Sequence, residues 1–153
     1  MKKIIAFMCL AFFVGCVTLS EEERTKQEII QFPKMSKKII YDKSLLFLAQ
    51  RIPNANGEFN YKNPAEGKIA GNVETHSSRM SDTYYFRNSI SIETKEGRAK
   101  ITVIPLTQKV CTYLKVCTND NDISWNNAAL ENAQFVIDSY KKYMNQGVKN
   151  ENW

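Results

Sequence analysis

Few side chains in this 153-residue chain bring reactive chemistry of their own. Cys111 and Cys117 close the short run Cys111-Thr-Tyr-Leu-Lys-Val-Cys117, Cys16 ends an apolar stretch, and His76 is the single imidazole. In an oxidising compartment Cys111 and Cys117 can join as a disulfide, and so small a loop would contribute about 2 kcal/mol in the chain-entropy model. The alternative is a pair of free or buried thiols. A tetrahedral metal site wants four soft ligands, and two thiols with one distant imidazole fall short, so no metal and no cofactor is expected. Asn119-Asp120-Asn121-Asp122 is rich in acceptors but lacks the glycine and the closing glutamate of a calcium loop. A Cys–His nucleophile pair using His76 is not excluded by spacing, but a lone imidazole without an acidic or thiol neighbour in sequence is more often a surface residue. No catalytic residue is assigned.

Cys16 points to different chemistry. Lys2 and Lys3 precede an apolar run from Ile4 to Val14, too short for a stable membrane span, and the pattern reads as a secretory signal over residues 1–15. The junction Phe13-Val14-Gly15-Cys16 resembles a bacterial lipobox, with Phe13 standing where leucine is usual. The resemblance implies that Cys16 becomes the lipidated N-terminus. A multi-chain lipid anchor would then hold the remainder at a membrane without spanning it. An ordinary signal with Cys16 incidental is the alternative, but no small-x-small cleavage pattern follows the apolar run. Residues 16–24, with Glu21-Glu22-Glu23, read as a solvated tether. The expected location is the cell envelope, at the outer membrane or cell surface.

Charge narrows the partners. The whole chain carries +5, and without Lys2 and Lys3 there are 19 basic against 16 acidic residues. The basic residues are scattered rather than clustered on one element, which argues against a phosphate-backbone surface, and no nucleic-acid partner is expected.

The elements that must position any site follow from periodicity. Glu28 to Phe32 reads as a first strand that Pro33 ends. Ser36 is an N-cap for a helix from Lys37 to Arg51, with Tyr41, Leu45, Leu48 and Ile52 on one face and Leu46 and Phe47 widening it. Pro53 to Gly57 is a turn cluster. Phe59 and Tyr61 alternate in a second strand, Asn63 to Gly67 turns, and Ile69, Gly71, Val73 and Thr75 alternate in a third, with Gly71 marking a bulge or a close backbone approach. Ser77 to Asp82 reads as a polar link. From Trp125 to Asn145 a last helix buries Ala129, Ala133, Val136, Ile137, Tyr140 and Met144, with Asp122 or Ser124 as its cap and Gly147 as its stop. Residues 147–153 read as a flexible tail.

The strongest pattern lies between Tyr84 and Leu106. Ile90 and Ile92 alternate with polar residues before Glu96-Gly97, and Ile101 and Val103 alternate after it, as in a hairpin with one buried face. For all four to share that face, paired positions must sum to an odd number, which excludes opposing Ile92 to Lys100. A two-residue loop pairs Glu93 with Lys100, and a four-residue loop ending in Gly97 pairs Glu93 with Arg98. The longer loop is expected, because a two-residue primed turn would force Glu96 to positive φ.

The order β-α-β-β-β-β-α predicts a single α+β domain over residues 25–146. It should be a two-layer sandwich: an antiparallel sheet of about five strands with two helices packed on one face. Ser36-Lys37-Lys38 leading into Ile40-Tyr41, the Gly67-Lys68-Ile69-Ala70-Gly71 strand, and Glu96-Gly97-Arg98 opening an apolar strand are similar, in that order, to a family of exported bacterial proteins. That family is common in Bacteroidetes and carries a domain of unknown function with a TATA-box-binding-protein-like fold. The resemblance spans about Glu28 to Tyr143. It implies the fold and no activity, and the fold name implies no DNA binding.

With helices on one side, the other sheet face is the natural binding surface. The register places Asn72, His76, Tyr85, Arg87, Thr102 and Ile104 there, beside Glu74, Ser91 and Lys100; the bland alternative is a solvated sheet face. The sequence therefore favours a membrane-tethered, non-catalytic binding or interaction module for a protein or small-molecule ligand. A small envelope enzyme, either a hydrolase or a thiol redox protein, is the alternative, and no nucleophile–base pair or Cys-x-x-Cys supports it.

Overall fold

A computed structural model of the chain describes residues 21–51, 59–79, 82–112, 117–120 and 127–146. The signal segment with Cys16, Ile52, the turn at 53–57, the caps at Asp122 and Ser124, and the 147–153 tail lie outside the described residues. One helical turn, α1 (Glu21–Arg24), leads into β1 (Lys26–Gln31), α2 (Lys37–Arg51), β2 (Phe59–Asn63), β3 (Lys68–Arg79), β4 (Asp82–Lys95), β5 (Arg98–Cys111), β6 (Cys117–Asp120) and α3 (Asn127–Asn145). The strands form one antiparallel six-stranded sheet in the order β1-β5-β4-β3-β2, with β6 also pairing β5. β1 pairs with the first half of β5 and β6 with its last four residues, so the two short strands share one side of β5. This is the expected α+β two-layer sandwich, with one strand more than the sequence suggested.

The core lies between the sheet and the two helices. Ile69, Ile90, Ile92, Ile101 and Val103 of the sheet, with Ile40 and Leu48 of α2 and Ile137, Tyr140 and Met144 of α3, are 0–1% exposed. The period-2 alternation thus places its residues where expected. On α2 the buried stripe is rotated from the expected one. Ile40, Tyr41, Ser44, Phe47 and Leu48 face inward, while Leu46 is 54% exposed. The set falls at i, i+1, i+4, i+7 and i+8, a broad helical face centred a little to one side of the expected stripe, and it accepts Ser44 because a partner awaits its hydroxyl.

Three local readings need correction. The central hairpin closes with the two-residue loop: Lys95 opposes Arg98, Glu93 opposes Lys100 and Ile92 opposes Ile101. The odd-sum parity holds, but the four-residue loop does not form. The tight turn is braced from outside by the β1–α2 connection. Phe32 N–H donates to Gly97 O at 2.6 Å and Gly97 N–H to Met35 O at 3.1 Å, while Lys37 N–H donates to Glu96 Oε2 at 2.9 Å. Gly97 takes φ +69° within it.

Second, the stretch read as a polar link continues the strands, with Arg79 opposite Asp82 and Ser77 opposite Tyr84. A ready-made ladder from β4 outweighs the weak strand preference of Ser77 and Ser78. Asn119 and Asp120, read as loop, are likewise drawn into β6 by pairing with β5. Third, Phe59 and Tyr61 do not share a face. Phe59 opposes Gly71 and Tyr61 opposes Ala70, so a bulge in β2 turns Phe59 toward the core and leaves Tyr61 43% exposed.

Candidate functional site

The two ends of the long β3–β4 hairpin differ. At the proximal end, the residues quoted for the family resemblance converge on a lock. Ser36 Oγ accepts from Ile39 N–H at 3.4 Å, and Glu96 holds Lys37 N–H, so the first turn of α2 is capped both locally and from the central hairpin. Lys37 Nζ donates to Ala65 O at 2.7 Å. Gly67, at φ +73°, is packed so closely that a Cβ there would lie 2.6 Å from Lys37 Cε and from Thr94 O and Oγ1. Thr94 is buried, and its N–H and hydroxyl both donate to Gly67 O, at 2.7 and 3.0 Å. These motifs tie two turns and a helix start together. Their role is positional.

At the distal end the core is divided. Moving outward along β4, Ile90 belongs to the main core, Asn88 follows, and then Phe86 enters a small separate cluster with Ala129, flanked by Tyr84 and Ala128. A buried polar layer lies between the two. Asn132 Oδ1 accepts from Thr75 Oγ1 at 2.7 Å and from Asn88 Nδ2 at 3.0 Å. Asn88 is fully buried and its Oδ1 has no hydrogen-bond partner among the described residues, an arrangement that costs stability.

Beyond this layer lies a cleft of about 640 Å³ between α3 and the distal hairpin. Ala128, Glu131, Asn132 and Phe135 line it from α3, falling at i, i+3, i+4 and i+7 on one helix face. From β4, Tyr84 and Phe86 line it with rings stacked at 6.4 Å and 14°. The outer part of β3 supplies His76, Ser77 and Ser78. β2 pairs with β3 only up to Gly71, so this part of β3 is a sheet edge among the described residues, and residues of both its faces can border the cleft. Phe135 is 55% exposed at the rim, a large apolar side chain left wet beside a cavity.

The residues expected on the open face do share it. His76, Tyr85 and Arg87 are exposed; Asn72, Thr102 and Ile104 are half-buried. The structure brings His76 against Tyr85, with ring centroids 6.2 Å apart, and places Arg87 between Glu74 and Thr107. Asn72 and Ile104 flank Ser89, while Thr102 Oγ1 contacts Gln27 Oε1 at 3.3 Å nearer the proximal end. From the Ser91–Thr102 row to the Tyr85 row is six residues of strand, or about 20 Å. The six residues therefore lie on one face without forming one site. Its distal part holds a groove of about 530 Å³ whose lining includes Glu74, Tyr85, Arg87, Lys109, Cys111 and Cys117. Cys111 and Cys117 oppose each other in the β5–β6 ladder and are joined by a disulfide.

For acid–base chemistry the relevant facts are geometric. His76 and Glu131 border the same cleft, but among the described residues His76 packs against the Tyr85 ring. Strand alternation places Ser77 on the helix side and His76 and Ser78 on the other, and among the described residues no hydrogen bond or ion pair joins His76 to a hydroxyl or a carboxylate. No group of three or more potential metal ligands clusters among the described residues.

The cleft was missed in the sequence because its helical wall is a second stripe beside the core stripe of α3. Phe135, a large apolar residue off the Ala129–Met144 core stripe of α3, was the available signal. The β4 wall is the continuation of the Ile92–Ile90 alternation through Asn88 to Phe86 and Tyr84.

Solved structures share the fold at low identity. The chain is similar to a DUF4468 family protein from Bacteroides ovatus ATCC 8483, with 18% identity, a TM-score of 0.56, and coverage of 88% of this chain and 93% of that one. It is also similar to a TBP-like protein from Parabacteroides distasonis ATCC 8503, with 10% identity, a TM-score of 0.54, and coverage of 78% and 89%. No curated protein matches. Residues 27–107, just over half the chain and the span that contains the proximal lock, match the domain of unknown function DUF4468 with TBP-like fold, and the chain belongs to that family.

Proposed function

We propose that this chain is a lipid-anchored, non-catalytic binding module of the cell envelope, held at a membrane through Cys16 and taking its ligand at the distal end of the β3–β4 hairpin. The observation that carries the reading is the cleft of about 640 Å³ bounded by Tyr84, Phe86, Phe135 and the Asn132 amide. Small-molecule sites combine an apolar wall of this size with a few convergent polar groups. The lipobox-like Phe13-Val14-Gly15-Cys16 supports the anchor, and no described helix is long and apolar enough to cross a membrane.

Two measurements test this. Membrane fractionation should find the wild-type chain with membranes and Cys16→Ala in the soluble fraction; a membrane-bound Cys16→Ala protein overturns the anchor. A fragment library screened by NMR against the ¹⁵N-labelled chain should shift amides around Ser77, Phe86 and Asn132. Shifts confined to the open face near Tyr85 and Arg87 would move the site there.

A further inference from the structure

We propose, resting on the reading of the distal cleft as a ligand site, that its ligand is an organic cation: an ammonium group carried on a small apolar body. Three aromatic side chains border the cleft, the stacked pair Tyr84 and Phe86 on the sheet side and Phe135 on the helix side. Aromatic faces carry negative electrostatic potential, and several of them around one cavity form the kind of cage that holds ammonium groups. Glu131 lies one turn before Phe135 on the same face of α3. It is exposed and has no ion-pair partner among the described residues. The described lining contains this one carboxylate, the imidazole of His76 and no lysine or arginine, in a chain that without Lys2 and Lys3 still carries 19 basic against 16 acidic residues. A negative site on a positive protein selects cations and rejects anions.

The ammonium group could belong to a free small amine or to a lysine side chain on another protein. Full-length ¹⁵N-labelled chain in a maltoside detergent is titrated with three probes, following amides at Ser77, Glu131 and Phe135: choline, its uncharged isostere 3,3-dimethylbutan-1-ol, and N-acetyl-lysine methylamide. At low salt choline or the lysine derivative should bind at least about tenfold more tightly than the isostere. Whichever of the two binds more tightly assigns the source. Glu131→Gln, an exposed substitution that should leave the fold intact, should weaken ammonium binding by about tenfold and leave isostere binding unchanged. Phe135→Leu should weaken it similarly. Equal binding of choline and isostere, unaffected by Glu131→Gln, overturns the cation assignment while the cleft stands as a binding site. No shift at the cleft with any probe overturns both.

Discussion

Ser44 Oγ and Tyr140 OH lie 2.7 Å apart at the centre of the helix–helix contact, joining α2 to α3 across 96 residues of sequence. Ser44 Oγ also lies 2.6 Å from Ile40 O. A serine has one hydroxyl proton, so Ser44 donates to the Ile40 carbonyl and accepts from Tyr140. Phe32 and Phe47 pack edge-on to the Tyr140 ring, at 6.4 and 5.3 Å between centroids. The direction of this bond has measurable consequences.

Removing the acceptor should cost more than removing the donor. Ser44→Ala leaves the buried Tyr140 hydroxyl unpaired and is expected to lower stability by about 2 kcal/mol. Tyr140→Phe leaves Ser44 bonded to Ile40 and should cost about 1 kcal/mol. In urea denaturation the double variant should lose less than the sum of the two. Additive losses would show that the hydroxyls are not coupled.

Alkaline pH should find the same pair. Burial pushes the Tyr140 phenol up from 10.0 to about 12. Its folded pKa is raised, so its stabilising contribution is intact below pH 10 and is lost as pH climbs through about 12. The full loss corresponds to ~3 kcal/mol. Stability measured between pH 9 and about 12 should fall less steeply in Tyr140→Phe than in the wild type, and parallel slopes would contradict the assignment.

Gly67 and Gly97 both take positive φ, and their alanine variants should differ sharply. At Gly97 the nearest atoms to an added Cβ lie 3.8 Å away, leaving only the left-handed backbone cost of about 1 kcal/mol. At Gly67 the Cβ would also strike the Thr94 carbonyl and the Lys37 side chain, so the expected loss is about 3 kcal/mol or more. Equal losses in a denaturation series would mean that the lock is not tightly packed.

The Cys111–Cys117 disulfide joins β5 to β6, and replacing both cysteines by serine should cost about 2 kcal/mol in the chain-entropy model. Hydrogen exchange should localise the change, with faster exchange at Val110 and Thr118 and unchanged protection at Ile92 and Ile101, far along the same hairpin. A global loss of protection would show that β6 supports the whole sheet.

The fold was readable where one residue's surroundings are set by its neighbours in sequence. The alternation of Ile90 and Ile92 against Ile101 and Val103 specifies which face is buried, because a slip of one residue would expose all four. The Lys37–Arg51 helix appears with the bounds expected from Ser36 and its apolar spacing, although its buried face is rotated. Membership in the family was readable too, from short motifs whose residues prove to meet at the proximal lock.

What the sequence could not decide depends on partners distant along the chain. The two-residue turn at Glu96-Gly97 is selected by Phe32, Met35 and Lys37, contacts that no local turn preference contains. Ser44 is buried because Tyr140 donates to it. The strand character of Ser77, Ser78 and Asn119 comes from a neighbouring ladder, not from their own preference. The cleft exists only because α3 lays a second stripe, Glu131, Asn132 and Phe135, over Tyr84 and Phe86 of a strand some 50 residues earlier. Periodicity reports which side of an element is apolar. Only tertiary packing decides where two such sides meet, and where they leave a space between them.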